Sequence, residues 1–218
     1  MTEYGKFVNF CRKAVRVFGP KYQLCLPAQA PPEGSLFICR HLNMRGPLAT
    51  LAWLPYHPRP WILAVLCQKE SAYAHYCGYT FTQRYGWPLP LAKLVARPLA
   101  AFMGKITGDL GAIPVHRDRE SFKTVSQSLK ALAEKDSLIL YPDVAYDQQG
   151  ETGELYRGFL LLEKFFYARQ GRHVPFVPIR LQDNTITVQP PLYFDDWQDE
   201  EQFTAALEKA LQEIRRLL

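Results

Sequence analysis

Apolar and polar positions along this chain follow two distinct periods. From residue 4 to 18, Tyr4, Phe7, Phe10, Cys11, Ala14, Val15 and Phe18 recur at helical spacing, with Lys6, Arg12, Lys13 and Arg16 between them. Gly19-Pro20 ends that helix, and the loop "PAQAPPEG" leads to a series of short β-rich runs. These predict strands over Leu36–Cys39, Trp61–Cys67, Ala112–Val115, Ser137–Tyr141, Val174–Leu181 and Thr185–Val188. Helical patterns fall between several of them, over 119–135 and 155–170. A last amphipathic helix over 199–218 carries Phe203, Leu207, Leu211 and Ile214 along one face. Strands alternating with helices predict an α/β fold with a mixed, largely parallel central sheet flanked by helices. With no repeat, linker or low-complexity tract, residues 1–218 read as a single domain. It comprises an N-terminal amphipathic helix and loop over 1–30, an α/β core over 31–194 and a C-terminal helix over 195–218.

Composition narrows the class. Hydrophobic residues make up 48% of the chain and charged residues 22%, ordinary values for a globular protein. The five cysteines, at 11, 25, 39, 67 and 77, form no C-x-x-C pair, which argues against a zinc site or a disulfide framework and for a reducing compartment. Cys39 and Cys67 lie in apolar runs and read as small buried hydrophobes. The N-terminus carries charges throughout, unlike a signal peptide. No apolar run reaches the roughly 18 residues a spanning helix needs.

The net charge of +5 matters less than its distribution. From Ser71 to Gly108 there is no Asp or Glu, while Arg84, Lys93, Arg97 and Lys105 lie among Tyr73, Tyr76, Tyr79, Phe81, Tyr85, Trp87 and Phe102. Rings with a polar edge and cations suit an anionic lipid boundary. The plainer alternative is that these rings fill an ordinary core. Cations interleaved with long apolar runs argue against nucleic-acid binding.

The G-x-S-x-G elbow, the phosphate loop and H-E-x-x-H are all absent. Four blocks stand out instead: "CRHLNMRGP" (39–47), "GAIPVHRDRES" (111–121), "LILYPDVAYDQQGETGELYRGF" (138–159) and "VPFVPIRL" (174–181). Their order and spacing resemble the sequence blocks of the glycerolipid acyltransferases, the glycerol-3-phosphate and lysophosphatidic-acid acyltransferase family, over roughly residues 30–190. The family's first block is H-x-x-x-x-D, with His as general base and Asp orienting it. The second is G-x-I-x-V-x-R, the third F-P-E-G-T-R with a Lys-Gly step, the fourth V-P-x-x-P.

Carried over residue by residue, the resemblance makes His41 the catalytic base, with Pro47 in place but Gly46 where the Asp belongs. Gly111, Ile113, Val115 and Arg117 match the second block. Tyr141-Pro142-Asp143 stands for Phe-Pro-Glu, Val144-Ala145-Tyr146 replaces Gly-Thr-Arg, and Arg157-Gly158 takes the Lys-Gly step. Val174-Pro175 and Val177-Pro178 keep the fourth. A neutral imidazole suits removal of a hydroxyl proton near pH 7, and an orienting acid would fix its tautomer. Asp143 or Asp109 are candidates for that role, as is a backbone carbonyl, and Asp143 is taken as catalytic. If orientation alone is lacking, Gly46→Asp should raise turnover; no gain would mean that the place is filled or the pocket inactive.

Arg117 is assigned by the resemblance to the acceptor's phosphate, where its forked guanidinium gives bidentate contacts. Tyr146 replaces the second arginine of that clamp, with Arg119, Lys123 or Arg157 as compensating cations. The plainer readings are a structural turn for His41, a surface ion pair for Arg117 and a loop cap for Asp143. His57, His75 and His173 read as solvated.

The resemblance thus implies transfer of a fatty acyl group from acyl-coenzyme A or acyl-carrier protein to a glycerol-phosphate or lysophospholipid acceptor. It implies no metal and no cofactor beyond that acyl thioester co-substrate. Expected partners are the lipid substrate, acyl-carrier protein and a membrane surface, with a peripheral location on the cytoplasmic face. Two alternatives stand beside it: a catalytically impaired lipid-binding relative, or an acyltransferase whose acceptor lacks phosphate.

Overall fold

The computed structural model describes residues 3–117, 119–144 and 152–218. In chain order the elements begin with α1 (Lys6–Phe18), β1 (Gln23–Cys25), β2 (Leu36–Cys39), α2 (Arg45–Trp53) and β3 (Arg59–Leu63). They continue with α3 (Lys69–His75), α4 (Leu89–Asp109), β4 (Ile113–Val115), α5 (Ser121–Ala133) and β5 (Leu138–Leu140). The last are α6 (Leu161–Gln170), β6 (Phe176–Gln182), β7 (Thr185–Val188) and α7 (Glu200–Leu217). Contacts gather these into two compact units interleaved along the chain. The first holds the described parts of Arg12–Pro58 and Val125–Leu218; the second holds those of Tyr4–Cys11 and Arg59–Thr124.

In the first unit β1 pairs with β7, β6 with β2 and β2 with β5, all in parallel, while β6 and β7 pair antiparallel. The protein is α/β with mixed, largely parallel strand pairing, as the alternating pattern predicts. Every residue of β2 and β5 is buried. Strands covered on both faces read as continuous apolar runs, which is why these two were legible. Phe37, Cys39, Ile139, Val177 and Ile179 form the core here, closed by Ala49 and Leu54. Helix α2 brings small residues to that core, burying Gly46, Pro47, Ala49, Thr50 and Ala52. Its C-terminal carbonyls accept from guanidinium groups of α1: Arg16 Nε to Ala52 O at 2.7 Å and Arg12 Nη2 to Leu54 O at 2.7 Å. Cations at a helix C-terminus also complement its dipole.

In the second unit β3 and β4 pair in parallel, Trp61 opposite Ile113. The predicted strand over Trp61–Cys67 is shorter than expected, because a 3₁₀ turn takes Ala64–Leu66. Cys67 is consequently half-buried beyond the strand, its thiol pKa pushed up by burial to about 11. A π-helical stretch, Tyr76–Arg84, extends α3, and α4 packs Ala92 and Ala96 against Cys77 and Phe81. Asp109, one of the candidate orienting acids, makes its described contacts within this unit. Its carboxylate accepts from Phe7 N at 3.1 Å at the start of α1 and from Lys105 Nζ at 2.7 Å, and chiefly the lysine holds its pKa low.

The expectation that His173 is solvated is also corrected. Its Nδ1 lies 2.6 Å from Oε1 of the fully buried Glu163, and its Nε2 lies 3.0 Å from Asp196. Tyr167 and Trp197 flank the ring. Burial disfavours the charged ring, but the two carboxylates outweigh it and raise the pKa. His173 thus fastens α6 to the segment before α7.

Candidate active site

Two neighbouring parallel strands build the candidate site. In the ladder of β2 and β5, Ile38 lies opposite Leu140, so both strands end together at their carboxyl edge. Loops at such edges are where parallel sheets place ligands. His41 comes two residues after β2 ends and Asp143 three residues after β5 ends. The two meet: Asp143 Oδ2 accepts from the His41 backbone N–H at 2.6 Å. Its Oδ1 lies 3.4 Å from Nε of Arg40, and both side chains are nearly buried. Asp143 therefore holds His41 by its backbone N–H, pinning the turn that carries the ring.

The turn itself is unusual. Leu42, Asn43 and Met44 all have positive φ, at 45°, 51° and 74°. L-residues enter this region at a cost of about 1 kcal/mol or more each, less for asparagine, so such a run persists only where surrounding contacts dictate it. Here Arg45 N donates to Leu42 O at 3.1 Å and Gly46 N to His41 O at 3.0 Å. The left-handed coil also carries the Met44 N–H back over the imidazole, where it donates to His41 Nδ1 at 3.2 Å. An Nδ1 that accepts a hydrogen bond carries no proton, so the neutral ring is the Nε2–H tautomer. Burial lowers the imidazole pKa below its ordinary value, with the Asp143 charge opposing. The ring is accordingly neutral at pH 7.

Tyr141 completes the ring's setting. It meets His41 edge-on, with centroids 5.9 Å apart, and its hydroxyl lies 2.8 Å from Thr50 Oγ1. Thr50 Oγ1 in turn lies 2.8 Å from Gly46 O. A chain of polar contacts thus ties the first block to the third through α2. Beyond Asp143, Val144 N donates to Glu154 O at 3.0 Å and Tyr156 N to Pro142 O at 2.7 Å, so 142–144 and 154–156 are clasped together.

Gly46 is not simply a missing acid. A Cβ built there would lie 1.9 Å from the carbonyl oxygen of Arg40. The turn closes so tightly on this residue that only glycine fits, and the expected gain from Gly46→Asp is withdrawn on steric grounds.

Arg117 and Arg119 belong to the second unit, exposed on the turn between β4 and α5. That turn is held by Thr124, whose Oγ1 donates to Pro114 O at 2.9 Å and accepts from His116 N at 3.0 Å. Lys123 pairs with Glu120. In the first unit Arg157 pairs with Glu208 of α7 at the surface. Tyr146 lies outside the described residues. The sequence pattern did not single out Arg40, Thr50 or the Met44 amide, and it placed Tyr141 in the third block without a contact to His41. Arg40 carried a signal of its own, a charge directly following a wholly apolar strand.

No protein-family profile and no curated protein matches the sequence. Among solved structures, the chain is similar to the crystal structure of PlsC, the 1-acyl-sn-glycerophosphate (LPA) acyltransferase from Thermotoga maritima. The TM-score is 0.51 at 9% identity, over 97% of this chain and 77% of that one. At that identity the likeness concerns the fold, and it agrees with the α/β arrangement described above.

Proposed function

We propose that the protein is an acyltransferase of the glycerolipid type, moving a fatty acyl group from a thioester to the hydroxyl of a glycerol-based acceptor. The observation that carries this reading is His41, neutral and held at the carboxyl edge of β2 by a carboxylate from β5. The likeness of fold to an LPA acyltransferase and the four ordered sequence blocks support it. His41 would take the acceptor's proton as the hydroxyl oxygen attacks the thioester carbonyl. The carbon–sulfur bond then breaks, and the imidazolium returns the proton to the departing thiolate. Acyl-coenzyme A and acyl-carrier protein both supply such a thioester. Arg117 remains the residue that the sequence resemblance assigns to acceptor charge, with Arg119, Lys123 or Arg157 as the compensating cations.

One observation favours a second reading, a lipid-binding relative with impaired catalysis. A base needs an unprotonated nitrogen facing the acceptor, whereas the Met44 amide occupies Nδ1 and leaves the proton on Nε2. Turnover therefore requires that contact to open or the ring to change tautomer. In the binding reading, Nε2–H simply donates to a lipid oxygen. Incubation with acyl-coenzyme A and a panel of glycerol-3-phosphate, lysophosphatidate and unphosphorylated monoacylglycerol separates the readings. The acyltransferase reading expects a new ester, identified by mass, with at least one acceptor. Lipid binding with no ester from any acceptor or either thioester overturns it.

A further inference from the structure

Helix α4 has two apolar faces, and only one is used in packing. Ala92, Ala96 and Ala100, four residues apart, are fully buried. On the opposite face Leu91, Leu94, Pro98, Ala101 and Phe102 follow one another at helical spacing, and all five are exposed, Leu94 to 72%. A surface helix ordinarily turns charged and polar residues outward on that face. Lys93, Arg97 and Lys105 border this stripe, and no acid occurs anywhere from Ser71 to Gly108.

The stripe leads into a stacked aromatic tip. Phe81 and Trp87 stack with centroids 4.7 Å apart and planes 8° from parallel. Tyr85 lies against both, with the Arg84 guanidinium over its ring at 5.6 Å. Trp87 N donates to Phe81 O at 2.8 Å, and Gly86, at φ 67°, permits the reversal that stacks the rings. Tyr79, Tyr85, Trp87 and Leu89 are exposed at this end. On the other flank, Lys69, Glu70, Tyr73 and Arg97 line an open groove of about 630 Å³ that shares Pro98 and Ala101 with the stripe.

We infer that this face of the second unit docks on an anionic lipid bilayer. Leu91, Leu94 and Phe102 enter the acyl boundary, the Tyr85 and Trp87 rings lie at headgroup depth, and Arg84, Lys93 and Arg97 meet lipid phosphates. Charge decides between a bilayer and a protein as occupant. Cations exceed acids along this border, where Arg84, Lys93 and Arg97 stand beside Glu70 of the groove and Lys105 is paired with Asp109; that excess matches a surface of negative sign, and tyrosine and tryptophan favour the headgroup layer. The contact lies on the surface, since no helix among the described residues is long and apolar enough to cross a membrane. The inference stands apart from acyl transfer, because none of these residues takes part in the His41 chemistry.

The test is flotation with phosphatidylcholine vesicles, with and without phosphatidylglycerol. The intact protein should float with the anionic vesicles, more weakly as salt rises. Neutralising Arg84, Lys93 and Arg97 to Gln should reduce partitioning about fivefold per charge. Leu94→Asp should remove most of the remaining binding while leaving the far-ultraviolet circular dichroism unchanged. If Leu94→Asp disturbs the fold, the charge series still decides. Equal binding to neutral and anionic vesicles overturns the inference, as does no flotation of the intact protein or unchanged flotation of the charge variants. So does a dimer that Leu94→Asp dissociates without any vesicle binding, which would make the stripe a protein interface. Because flotation needs no turnover, failure of the acyl-transfer assay leaves this result readable.

Discussion

Gly46→Ala and Gly46→Asp are both expected to destabilise the protein by about 3 kcal/mol or more, the upper range for forcing atoms into a packed site. The atom in the way is backbone, the Arg40 carbonyl oxygen 1.9 Å from the position of a Cβ, so no side chain can swing aside. Relief would require opening the turn closed by Gly46 N to His41 O and by His41 N to Asp143. Against a typical total stability of about 5–15 kcal/mol, that loss is large. Urea midpoints measure it, and the pairing of variants isolates the cause. If sterics govern, alanine and aspartate fall together. If Gly46→Asp keeps the wild-type midpoint and turns over faster, the turn has room for a carboxylate and the steric account fails.

Asp143→Asn carries the second large effect. The substitution leaves the nearly buried Arg40 guanidinium without this carboxylate and weakens the grip on the His41 N–H. Removing one partner of a buried ion pair costs about 3 kcal/mol or more. In activity, a shift of the imidazole by about an ångström costs on the order of 100-fold. The pH profile distinguishes positioning from general destabilisation. Asp143 raises the His41 pKa against burial, which lowers it. Loss of its charge lets the pKa fall further, so the acid limb of the kcat/KM profile moves to lower pH. A folded Asp143→Asn protein with an unmoved acid limb would mean that Asp143 does not act on His41.

Much of the framework was legible in the chain, because strands buried on both faces announce themselves as apolar runs. Leu36–Cys39 and Leu138–Leu140 fall within the predicted strands. Helix α2 was not legible, since "RGPLATLAW" buries small residues around much of its circumference and leaves no single apolar stripe. Helix α4 hid for the opposite reason: it has two apolar faces, and Pro98 lies inside it. The predicted helix over 155–170 starts late because Leu155 bridges to Asp143 in extended conformation. Within the site, Asp143 was one of three candidates for holding His41, beside Asp109 and a backbone carbonyl, and the contact it makes, with the backbone N–H, was not legible. Left-handed φ at Leu42 and Met44 has no compositional sign, as glycine would have, and only tertiary closure imposes it. Gly46 read as a charge that had been lost, whereas the folded chain shows an atom that has no room.

Whether the His41 imidazole moves the proton in acyl transfer is read from thiol release by acyl-coenzyme A. Wild-type protein should release thiol in proportion to added acceptor. His41→Gln, which retains a hydrogen-bonding side chain and should keep the wild-type urea midpoint, should release it about 10²–10⁴-fold more slowly. Equal acceptor-dependent rates from the two folded proteins would contradict the account.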